Sequence, residues 1–307
     1  MIRSVPYRFR RNGFRTRRAD FVPRDRAPPK TSNGLALRLA TAWDLGNQIK
    51  WEVGGDVVTF PQHSSKHRLK SLVTAAQFHR YEKARRASRI PKVPRTIVMV
   101  FGSRWNRYLR RKYRGKRDPR SDVYRVTKAV GVVHLRGPGA PFAAIVVEEL
   151  AALGARAFVL VGLAGSLQPD LRLGSIVLCD KALRDEGTSH HYTKAGRFAR
   201  PSAELNKRLD RLLRRKGVDL RRGSSWTIDA PYRETVPEIR RYRRMGILTV
   251  EMESSAVFTV ARHLQCQAAA ILVVSDHLHE RGWQPLFYES NPALRRAFTI
   301  TVEGLAE

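Results

Sequence analysis

Residues 268–274 are apolar at every position, Ala-Ala-Ala-Ile-Leu-Val-Val, and the run closes on Ser275 and Asp276. This feature constrains the fold most. An alternating pattern would mark a strand with one face in water, and an unbroken run predicts a strand covered on both faces, as inside an α/β sheet. An apolar run that stops at a carboxylate is how a sheet delivers an acid to a cleft, so Asp276 is expected to emerge at one.

A second acid stands at a comparable junction. Residues 247–250 read as a short strand, and Val257, Phe258, Val260, Ala261 and Leu264 follow at helical spacing. Glu253 therefore lies where a strand passes into a helix, beside free N–H groups of the first turn. Each acid also has a plain structural reading. A glutamate at a helix start serves as a cap or dipole partner, and an aspartate after a buried strand serves as a turn residue.

The surrounding segments come in a distinctive order. Gly137-Pro138-Gly139-Ala140-Pro141 precedes a helix containing Glu148 and Glu149, and Val161-Gly162-Leu163-Ala164-Gly165-Ser166 follows. Next come Leu173-Gly174-Ser175, Asp185-Glu186-Gly187-Thr188-Ser189-His190-His191-Tyr192, Glu251-Met252-Glu253-Ser254 and Ser275-Asp276-His277. Over residues 125–300 this order resembles the purine nucleoside and uridine phosphorylase family, which also includes nucleosidases. The resemblance implies an α/β fold, a single domain with a mixed, partly barrel-like central sheet flanked by helices.

It also implies roles. Cleaving an N-glycosidic bond passes through an oxocarbenium-like sugar, so a site must hold the ribose, accept positive charge and help the base leave. By resemblance Glu253 binds ribose hydroxyls and stabilises the cation, Met252 packs on the sugar, and Asp276, next to Ser275, protonates or hydrogen-bonds the base. Uridine-type members lack that aspartate, which favours purines. Gly137 and Gly139 match a turn that lets the backbone approach an anion, although a strand-to-helix loop needing positive φ explains them as well. Gly162 and Gly165 match a Gly-x-x-Gly turn at the substrate. Residues 227–233 match the base pocket, where Pro231 replaces a stacking aromatic and leaves Tyr232 or Trp226 to supply that surface. Arg233 either reaches a base oxygen or is solvated. His190 or His191 lines the sugar side, or is an exposed loop residue.

One departure bears on the nucleophile. Where phosphorylases of this type carry an arginine and a serine or threonine around the first glycine of the Gly-x-x-Gly turn, this chain has Leu160 and Leu163. Losing a hydrogen bond to a charged group removes on the order of 1.5 to 3 kcal/mol. Arg104 or Arg107, after the strand expected at 95–102, are candidate phosphate ligands; the alternative is the basic start of a helix. Three functions follow from the resemblance: phosphorolysis of a small-molecule nucleoside with inorganic phosphate as co-substrate, hydrolysis by a nucleosidase, or non-catalytic binding of a nucleoside or nucleic acid. No other cofactor and no metal is implied, since neither the two cysteines nor the nine histidines show ligand spacing. Family members usually form homo-oligomers.

Charge separates the chain into regions. Of a formal +31, the first 120 residues hold 31 Lys and Arg against 7 Asp and Glu, a net of +24, which leaves +7 for the enzyme-like remainder. Residues 1–35, basic and proline-containing, read as a disordered extension. A transit peptide, an over-extended gene start and a tether to nucleic acid or another anionic surface remain open for it. Residues 36–92 read as a helical lead-in, with an amphipathic helix over 66–90, and 93–307 as the phosphorylase-like domain. Cys179 and Cys266 sit in apolar surroundings, as expected of reduced thiols in a cytoplasmic protein. No apolar run approaches the roughly 20 residues needed to cross a bilayer, so no membrane partner is expected.

Overall fold

A computed structural model describes residues 51–53, 56–58, 60–63, 66–86, 89–102, 104–280 and 282–307. The extension expected over residues 1–35 lies outside the described residues. Contacts gather the described residues into one compact unit. It opens on a two-stranded hairpin, β1 (Trp51–Val53) and β2 (Asp56–Val58), followed by a 3-10 turn at Lys66–Arg68 and helix α1 (Ala75–Arg86). The main sheet then begins with β3 (Thr96–Phe101), α2 (Arg104–Lys112), β4 (Val123–Arg125), β5 (Val130–Leu135), α3 (Ala140–Ala152) and β6 (Ala157–Ser166). It continues with β7 (Ile176–Asp185), β8 (Phe198–Ala199), α4 (Ala203–Arg215), β9 (Leu220–Ile228), α5 (Val236–Arg244) and β10 (Ile247–Glu251). Helix α6 (Ser254–His263), β11 (Gln267–His279), β12 (Gly282–Pro285) and α7 (Asn291–Ala306) complete the order.

The strand order is β12-β11-β7-β9-β10-β6-β3-β5-β4, and β11 pairs with β6 as well. That extra pairing closes β6, β10, β9, β7 and β11 into a five-stranded ring, so the mixed, partly barrel-like sheet predicted from the sequence is present. β6 runs parallel to β3 and β11, and antiparallel to β10.

The apolar run explains why β11 is central. Ala268, Ala270, Leu272 and Val274 enter one core with α3 and α6, while Ala269, Ile271 and Val273 enter a second with α2, α4 and α7. Successive side chains point to opposite faces, and both faces are covered. A third cluster, with Trp226, Ile228, Ile239, Tyr242 and Val250, joins β9 and β10 to α5.

Three local expectations need correction. The lead-in is not wholly helical, since β1 and β2 precede α1, and the helix spans 75–86 rather than 66–90. Its Phe78 and Tyr81 are exposed, as are Leu69, Leu72 and Val73 before it, because α3 and α6 already cover that face of the core. Helix α1 packs on the outside of α3, where His79 Nε2 lies 3.1 Å from the Glu149 carbonyl. Gly162 and Gly165 are not in a turn but inside β6, and neither has positive φ. Finally, β11 does not stop at Asp276; it continues to His279 because β12 folds back on it. Cys179 and Cys266 are free and buried, as expected. Among the described residues no helix is long and apolar enough to cross a membrane.

Candidate active site

β6 aligns the two acid-bearing segments. Gly165 is the register partner of Val250 on β10 from one side and of Asp276 on β11 from the other. A Cβ at Gly165 would collide with Leu278 and stand 3.0 Å from Asp276 Oδ2 and 3.1 Å from Val250. The bare backbone there is what allows the Asp276 carboxyl to settle against the strand.

Asp276 is buried and held on both oxygens. Ser275 Oγ donates to Oδ1 at 2.6 Å, and Trp283 Nε1 donates to Oδ2 at 2.8 Å. A shift in pairing between Val274 and Asp276 marks an irregularity where β11 passes this point.

The second acid turns away from its own helix. Glu253 is the N-cap residue of α6 but makes no capping bond; its Oε1 accepts the N–H of Gly139, at 2.5 Å. Gly139 is the N-cap residue of α3 with φ 113°, a conformation that favours glycine, so the predicted need for positive φ is met there. Gly137 has no such φ, and a side chain there would meet open space. Capping of α6 falls to Glu251, whose Oε2 accepts the Glu253 and Ser254 N–H groups at 2.9 and 2.7 Å. Its Oε1 accepts the Thr227 hydroxyl at 2.6 Å.

These bonds separate the two glutamates electrostatically. Burial and the neighbouring Glu251 charge push the Glu253 carboxyl above the usual range, with only the Gly139 and Met252 N–H groups pulling it back. Burial raises Glu251 too, but hydrogen bonds from Thr227 and the α6 N–H groups oppose it. Glu253 thus has fewer donors answering its charge than Glu251. Hydroxyl donors from a sugar would favour its ionised form.

The remaining predicted residues are distributed unevenly. Met252 is half-buried between the two glutamates. His191 is half-buried, and its Nδ1 accepts from Lys66 Nζ at 3.1 Å; burial and that lysine lower its pKa. Phe60 sets its ring edge against His190 and His191, at 5.8 and 5.5 Å. A groove of about 800 Å³ runs between this lead-in, α3, the Thr188–His191 turn and Asp229. Asp229, whose charge also raises Glu253, accepts the Gly187 N–H at 2.7 Å.

The two proposed stacking aromatics lie in opposite surroundings. Trp226 is fully buried and donates to Asp185, and Tyr232 is 97% exposed. Arg233 is exposed, on the solvated side of the two readings. Arg107 is exposed on α2, and the side chain of Arg104 lies outside the described residues. Leu160 is buried in the first core and Leu163 is half-buried against the second. Among the described residues no cluster of metal-ligating side chains occurs.

Sequence reasoning missed Glu251, Glu234 and Trp283. Glu234 precedes the Thr235 cap of α5, and burial together with the charges of Asp276 and Glu238 pushes it up to about 7. A spacing of two from Glu253 was the available signal for Glu251. Trp283 carried none, because the return of β12 onto β11 is not written in a local pattern.

Relatives share this framework. The phosphorylase superfamily profile matches residues 107–300. A purine nucleoside phosphorylase of DeoD type from Geobacillus kaustophilus is 33% identical over 150 residues, 46% of this chain and 61% of that protein. A guanosine phosphorylase from Halorubrum lacusprofundi is 32% identical over 142 residues, 46% of this chain and 59% of that one. The chain thus spans about three fifths of the length of the curated relatives it matches. Among solved structures, uridine phosphorylase from Vibrio fischeri superposes with a TM-score of 0.55 at 28% identity, covering 68% of this chain and 91% of that one. Purine nucleoside phosphorylase from Toxoplasma gondii gives 0.62 at 19% identity over 70% and 91%, a likeness of fold. With the profile spanning most of the sheet and both acid-bearing segments, the chain belongs to the phosphorylase superfamily.

Proposed function

We propose that this chain cleaves the N-glycosidic bond of purine nucleosides by phosphorolysis, releasing free base and pentose 1-phosphate. The observation that carries the reading is the placement of Glu253 and Asp276 from strands that flank Gly165, one acid bonded to Gly139 and the other to Ser275 and Trp283. In the reaction the C1′–N bond breaks and its electron pair leaves with the base. Glu253, ionised once ribose hydroxyls donate to it, stabilises the positive charge growing on the sugar. Asp276 hydrogen-bonds or protonates the purine ring as it departs. A phosphate oxygen closes on C1′.

A second reading, hydrolysis, is favoured by one specific observation. Leu160 and Leu163 lie in apolar clusters of β6 and offer no donor to an anion. Water then takes the place of phosphate. Either way the reading includes nucleoside catabolism and purine salvage in the cytoplasm, with self-association through exposed Leu69, Leu72, Phe142 and Ile145.

The test is base release from a panel of nucleosides by purified protein, with and without phosphate, following the sugar product. Phosphate-dependent formation of sugar 1-phosphate from purine nucleosides is expected. Phosphate-independent release of free sugar would establish hydrolysis instead. Glu253→Gln and Asp276→Asn should each lower kcat about 100-fold or more while the fold persists; full activity in both would remove the assignment.

A further inference from the structure

Trp283 has no place in the core, yet its one polar atom is committed to the acid at the base end. The residue is 58% exposed and belongs to none of the three apolar clusters. It sits on β12, opposite Leu278 of β11, and its ring edge meets Phe287 at 5.9 Å. From there Nε1 reaches inward to Asp276 Oδ2 at 2.8 Å. An exposed indole can give its N–H to water without cost, so a bond to a buried carboxyl is a choice of geometry, not a remedy for burial.

The bond completes a definition of the carboxyl plane. With Ser275 alone on Oδ1, the group can pivot about that contact; a second donor on the other oxygen removes the pivot. Oδ2 is bounded on another side by Gly165, where a Cβ would stand 3.0 Å away.

We propose that Trp283 is a positioning residue for Asp276, its indole N–H fixing the plane from which the carboxyl meets the departing purine and its ring roofing the acid against water. This rests on the nucleoside-cleavage reading above. Substrate contact is not required of it. A purine already methylated at N7 carries its positive charge before the bond breaks, so its departure depends little on Asp276.

The experiment compares wild type with Trp283→Phe, which keeps an aromatic ring and removes the donor, on inosine and on 7-methylinosine. The ratio of kcat on inosine to kcat on 7-methylinosine should fall about tenfold, the scale of one hydrogen bond to a charged group, with KM for inosine little changed. Equal losses on both substrates, or none, would overturn the proposal. A second measurement is independent of turnover: in an NMR spectrum of protein labelled with ¹⁵N-tryptophan, Asp276→Asn should move the Trp283 indole N–H resonance. If that resonance stays put, the contact is absent and the proposal falls. If wild type cleaves neither substrate, the function reading fails while the NMR result still decides the contact.

Discussion

Three carboxylates near the cleft differ in what answers their charge. Glu251 has the Thr227 hydroxyl and two α6 N–H groups, Glu253 has the Gly139 N–H, and Glu234 has no hydrogen bond strong enough to offset its burial. The last case gives a pH signature. Its folded pKa of about 7 stands above the ordinary 4.5, so between those values the unfolded chain binds fewer protons than the native one. Stability from this group is therefore complete below about pH 4.5 and is lost as pH rises towards 7. Glu234→Gln removes the titration. Discounted for partial exposure, the variant should be about 1–2 kcal/mol more stable than wild type at about pH 8 and indistinguishable at about pH 4. Urea melts at the two pH values check this, and an equal difference at both would show that Glu234 titrates normally.

At the scale of elements, the sequence was legible where burial writes a period and silent where contacts are distant. The uniform apolar run of β11 and the helical spacing after Glu253 both reported which faces are covered. Gly162 and Gly165 were misread as a turn because glycine signals backbone freedom, whereas here Gly165 answers the close approach of Asp276 and Leu278. Trp226 was a plausible stacking ring by type, but the third core claims it, which leaves exposed Tyr232 as the candidate. The start of α6 also depends on a distant residue. Thr227 on β9 donates to Glu251 and accepts the Ser255 N–H at 3.1 Å, tying the strand to the helix that carries Glu253. Thr227→Val, nearly equal in volume, leaves the Ser255 N–H buried without this partner and leaves Glu251 Oε1 only the Ser225 hydroxyl at 3.5 Å. It should destabilise the protein by about 1–3 kcal/mol and speed hydrogen exchange at the Ser255 amide. Unchanged exchange would mean that Glu251 alone holds the helix start.

For the whole molecule, charge distinguishes the two substrates of the proposed reaction. A chain with formal charge +31 raises the local concentration of anions, and it leaves an uncharged nucleoside unaffected. Salt screens such a field over a Debye length of about 10 Å at 0.1 M. If phosphate is the co-substrate, its KM should rise several-fold between low and physiological ionic strength while KM for the nucleoside changes less than about twofold. The rise should be the same in chloride and in acetate salts, because screening depends on ionic strength, whereas competition for a site depends on the anion. A phosphate KM that ignores salt would mean that the basic surfaces, including α2 with Arg107, Arg110 and Arg111, do not act at the site. A slope that differed between the two salts would locate the effect in a discrete anion pocket in place of Leu160 and Leu163.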